Sequence, residues 1–146
     1  MALTGSRFGQ LAAILPAAAV SLLYLLLLGH RHDYLGHYAA GYGASFAALA
    51  VWLRSLSRAK FESLAPRSIL PGCVLCILAG AITEATIFRL ARFDEIDFCN
   101  QSLGAVMAGI AALTLVREPR PADREFDIAT ITGIAYLGIG GWFAFH

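Results

Sequence analysis

Charge is scarce in this sequence. Asp, Glu, Lys and Arg make up 14% of its 146 residues, where soluble domains carry about 25%. Hydrophobic residues fill 58% of the chain and mean hydropathy is +0.67. A net charge of +1, with no basic stripe interleaved with aromatics, excludes a nucleic-acid partner. Three cysteines, Cys73, Cys76 and Cys99, are too few and too apolar in setting for a disulfide framework. Cys73 and Cys76 share a helical face, but no second pair completes a zinc site, so they read as small buried apolar residues. Nothing resembles a serine nucleophile elbow, a phosphate-binding glycine loop or a haem-attachment motif. No metal or cofactor is expected.

What is present is five long apolar runs. The hydrophobic periods place an all-α membrane domain over residues 1–146, a compact bundle of about five transmembrane helices with spans near 8–29, 34–56, 69–90, 98–116 and 126–145. The first run, Leu11 to Leu28, is longer than the usual ~7–15-residue signal core and is followed by Gly-His-Arg-His-Asp rather than a small-residue cleavage site. It reads as an anchor. Pro16 lies inside that span, and Pro71-Gly72 opens the third. Trp52, Trp142, Tyr24, Tyr34, Tyr38 and Tyr136 fall near span ends, where interfacial anchors sit. Small residues crowd the second span (Gly36, Ala39, Ala40, Gly41, Gly43, Ala44) and the fourth (Gly104, Ala108, Gly109), which predicts close helix packing.

Basic residues orient the chain. With the N-terminus in the cytoplasm, Arg7, Arg54, Arg58, Lys60, Arg67, Arg117, Arg120 and Arg124 lie inside, and Arg31, Arg89 and Arg92 outside, 8 against 3 of the 11 Lys and Arg. The positive-inside rule therefore predicts a cytoplasmic N-terminus and a periplasmic C-terminus. The inner face then reads as basic anchors alone, and the other polar residues gather at the outer face.

Two groups there carry chemistry. Asp33 and His37 stand four apart on one helical face, after His30 and His32. They suit a proton-handling pair or a metal site, and equally an interfacial segment in which Asp33 caps the second span. No known metal-ligand spacing is present. Glu84 lies deep in the third span, where a carboxylate requires a partner, and His37, Arg89 and Arg92 are the candidates. The run Asp94-Glu95-Ile96-Asp97 predicts ion pairs between segments.

The stretch Asp33-Tyr-Leu-Gly-His37-Tyr-Ala-Ala-Gly resembles the segment with which VanZ-like proteins open a helix. A second stretch resembles that family's other motif, with Glu84, Arg92, Asp97, Gln101, Gly104 and Gly109 in order. VanZ-like proteins are small multi-pass proteins of the bacterial inner membrane, the founding members being associated with low-level resistance to the glycopeptide teicoplanin. The resemblance implies a cell-envelope role and an outward-facing polar site of Asp33, His37, Glu84, Arg92, Asp97 and Gln101, but no defined reaction. Membrane lipid or glycolipid is the ligand it suggests, with His37 and Glu84 as the proton-transfer pair should chemistry occur. A rival reading makes the chain a non-catalytic accessory subunit of a larger respiratory or photosynthetic complex, partnered by other membrane subunits. A transporter is a third reading, but the 146 residues offer no second repeat for alternating access without dimerisation.

Overall fold

The computed structural model describes residues 4–86, 94–117 and 119–145. Among them the chain forms five helices and no strand: α1 (Thr4–Leu27), α2 (His32–Ser55), α3 (Arg58–Thr86), α4 (Glu95–Leu113) and α5 (Asp123–Phe145). Three of these, α3, α4 and α5, are long and apolar enough to cross a membrane. Their outward faces are largely apolar away from the charged ends. Leu70 and Leu75 of α3, Ile110 of α4 and Ile131 of α5 are all more than half-uncovered or close to it, as are Leu22, Leu23 and Leu26 of α1. Water does not tolerate so continuous an apolar surface on a monomer.

The helix that hides most is α2, which touches all four others. It buries Tyr38, Tyr42, Phe46 and Leu53 almost completely. Its approach to α5 is antiparallel and made by residues without bulk. Gly36 lies against Ala144, Gly140 against Ala40 and Gly36, and Gly133 against Gly43 and Ala47. This 4-3-4 spacing on α2 brings the two backbones together, as small residues do where lipid supplies no hydrophobic drive. Gly104 of α4 reaches the α2 backbone at Tyr38 and Tyr42 in the same way. The tight packing that the small residues predict is therefore intramolecular.

Three expectations change. First, the basic segment after the second span is helical. Only Leu56 and Ser57 connect α2 to α3, and α3 runs through Pro66 and Pro71. Phe61, Ala65 and Ile69 recur every four residues and are buried, while Arg58, Lys60, Glu62 and Arg67 are exposed. That amphipathic face packs the helix down despite the missing proline donors, and Ser68 Oγ donates to the Ala65 carbonyl at 3.0 Å near the break. Second, Tyr38 and Tyr136 are not interfacial anchors. Tyr38 is fully buried and stacks on Tyr24, and Tyr136 packs on Tyr42 at 5.0 Å between ring centroids.

Third, the basic end of the bundle is not made of basic anchors alone. Arg54 pairs with Asp127 at 2.5 Å, Arg117 with Glu125 and Arg120 with Asp123 at 2.9 Å. The first turns of α5 supply these acids, where the helix dipole also favours them. Arg120 ties three helices together. It donates to the Arg54 carbonyl at 3.0 Å and lies over Phe61 and Phe126 at 5.6 and 5.0 Å. Arg120→Ala is expected to cost about 1–3 kcal/mol through lost charge-assisted bonds and ring contacts. Thermal unfolding in detergent reads this, with Arg120→Lys recovering only part because it lacks the planar fork.

Candidate functional site

At the opposite end of the bundle, a cleft of about 580 Å³ runs between α3 and α5 over a floor of α2 and α4. At the basic end α3 meets α5 through the Phe61 and Phe126 rings, 5.9 Å apart between centroids, but among the described residues the two backbones stay apart along the cleft, which leaves its side open. Its shape follows from helical spacing. From α2, His37, Gly41, Ala44 and Ala48 face it; from α3, Cys76, Gly80, Thr83 and Glu84; from α4, Asp97, Gln101 and Ala105; from α5, Leu137, Gly141 and Ala144. Each set recurs every three or four residues, one stripe per helix. Small side chains along all four stripes leave the space empty. From His37 to Ala48 is eleven residues, about 16 Å along α2.

The polar groups lie at one end. Asp94 begins α4, its carboxylate accepting from the Ile96 and Asp97 backbone amides at 2.8 and 3.2 Å. This cap sets the helix phase that turns Asp97, Gln101 and Ala105 into the cleft. Asp97 Oδ2 stands 3.4 Å from His37 Nε2, both half-buried, and Asp97 Oδ1 is buried without a partner. Glu84 enters from α3, 9% exposed. The Gln101 carboxamide occupies the space that a side chain at Gly80 would fill, so the glycine admits it.

Of the six residues that the sequence singles out, His37, Glu84, Asp97 and Gln101 line this one cleft. His37 faces Asp97, not Glu84. Asp33 stands apart. It forms an ion pair with Arg31 at 2.9 Å, and that guanidinium holds its carboxyl below the usual range. Nor does Asp33 cap α2, which starts one residue earlier, with Arg31 at the cap position and no side-chain cap bond. Arg92 and Arg89 lie outside the described residues. Among those described, no three His, Cys, Asp or Glu side chains gather as a metal would need.

Sequence reasoning missed the lower cleft. Ser45 and Cys76 both line it, and Cys76 is only partly covered whereas Cys73 is buried against Gly109. The signal was available, since Ala40, Ala44 and Ala48 repeat every four residues below His37. It reads as packing unless one knows that α3 stands off.

No family model, no curated protein and no solved structure matches this chain.

Proposed function

We propose that the chain is a multi-pass protein of a bacterial inner membrane, with five spans and a cytoplasmic N-terminus, whose cleft binds a single amphiphile from the outer leaflet. The observation that carries this is the cleft's construction. The two acids, His37 and Gln101 sit at one end, a stripe mostly of alanine and glycine runs below them over the roughly 16 Å from His37 to Ala48, and the α3 and α5 backbones stay apart along the cleft's side. A head group would rest among His37, Asp97, Glu84 and Gln101, and its chain would lie along Ala44 and Ala48. Sites for small ligands share this pattern of an apolar lining with a few convergent polar groups.

The orientation rests on the 8-to-3 division of basic residues, which puts the cleft's polar end at the periplasmic surface. The VanZ-like resemblance agrees with that placement, since four residues of its two motifs line the cleft. The role is binding in the cell envelope. Among the described residues, His37 has Asp97 as its charged partner.

Native mass spectrometry of the full chain released from detergent tests the reading. One lipid is expected to stay bound as the detergent is stripped at moderate activation energy. A chain that sheds every lipid as readily as detergent overturns it.

A further inference from the structure

Among the described residues, carboxylates outnumber basic groups at the cleft's polar end. Glu84 is buried to nine-tenths and forms no hydrogen bond or ion pair among the described residues. Asp97 has one oxygen near His37 and the other, Oδ1, buried without a partner. Among the described residues no lysine or arginine lines the cleft. Two carboxylates thus share a confined space with one imidazole. Burying a carboxylate unpaired is costly, and the cost falls if the ligand supplies both the charge and the donors.

We propose that the cleft selects an amphiphile whose head carries a primary ammonium, seated between Glu84 and Asp97. This rests on the reading of the cleft as an amphiphile site. A primary ammonium offers compact positive charge and three N–H donors. Glu84, the exposed edge of the Asp97 carboxylate and the Gln101 carboxamide line the space it would occupy. A quaternary ammonium brings the charge without a donor, leaving the carboxylates facing the cleft without a hydrogen bond. An anionic head adds a third negative charge to the two carboxylates. A neutral sugar supplies donors but no charge, so it ranks below the ammonium. The tail makes no such distinction, since Ala44, Ala48 and Ala105 offer only apolar contact.

The test is competition on the full-length protein in detergent, read by native mass spectrometry, among phosphatidylethanolamine, phosphatidylcholine and phosphatidylglycerol with matched chains. Phosphatidylethanolamine is expected to outcompete each of the others by about fivefold, the margin of a charge-assisted hydrogen bond over none. Dodecylamine and dodecyl glucosaminide are the two further arms. Displacement by dodecylamine shows that the ammonium is what is held, and the tighter of phosphatidylethanolamine and the glucosaminide identifies a phospholipid or an amino-sugar lipid as the source. Glu84→Gln is expected to erase the preference while phosphatidylcholine binding stays within about twofold, and Asp33→Asn, off the cleft, retains the preference. The ranking in the unsubstituted protein stands even if Glu84→Gln fails to fold. Equal binding of all three phospholipids, or preference for phosphatidylglycerol, overturns the ammonium and leaves the amphiphile site intact. Retention of no lipid at all sinks both.

Discussion

Gly140→Val is expected to prevent the bundle from assembling as a folded monomer in detergent. A Cβ at Gly140 would press on the Ala40 backbone nitrogen and come within 2.8 Å of the Gly36 carbonyl oxygen. Neither is the end of a flexible side chain, so relief comes only by moving α2 and α5 apart. Separating them also loosens the Gly36–Ala144 and Gly133–Ala47 approaches, which lie on the same face. Overpacking in a well-filled interior costs about 1–3 kcal/mol, and a clash of backbone with backbone belongs at or above the top of that range. Total stabilities run only to about 5–15 kcal/mol. Gly138 is the control, because a Cβ there meets nothing within 4 Å. Gly138→Val is expected to elute and melt like the parent, whereas Gly140→Val shifts to aggregate in size-exclusion chromatography. Equal behaviour of the two variants would show that the α2–α5 contact does not hold the fold.

The second large effect is expected at Ala44. Its side chain is exposed within the cleft, between the polar end and Ala48. Ala44→Phe puts a benzyl ring where the upper part of a ligand chain would lie, without touching the α2–α5 seam formed by Gly36, Ala40, Gly43 and Ala47. Thermal stability is expected to stay within about 0.5 kcal/mol, as for substitutions away from packed features. Lipid retention is expected to fall more than about tenfold, equivalent to ~1.4 kcal/mol. A variant that melts normally yet keeps its lipid locates the lipid elsewhere on the apolar exterior.

Helices were easy to find in this sequence because lipid-length apolar runs admit few alternatives. Three of the five meet the length and hydropathy of a membrane crossing in the structure. The second run is a different matter. Its histidine, tyrosines and glycines serve contacts with four neighbours, and nothing in the local pattern marks a helix as central. Helix ends were less legible. Pro66 and Pro71 argue for a loop, yet the buried spacing of Phe61, Ala65 and Ile69 carries α3 through them. The face of each polar residue depends on helix phase, which is why His37, Asp97, Glu84 and Gln101 could be grouped by depth in the membrane alone. Asp33 has the same depth and the right spacing from His37, but Arg31, two residues earlier, captures it first. Likewise the acids of α5 were visible as residues but not as partners, because Asp127 meets Arg54 only after the two helices have paired.

The pairing of α2 with α5 also bears on how the chain is made. Gly36 and Ala144 lie 108 positions apart in the sequence, and a ribosome adding roughly 5–20 residues per second takes about 5–20 s to travel between them. During that interval the glycine face of α2 has no α5 to receive it. Until then the small residues of α2 lack the backbone contact that covers them in the finished fold. The α2–α5 seam therefore closes only after α5 has been synthesised, which makes it a late contact of the fold.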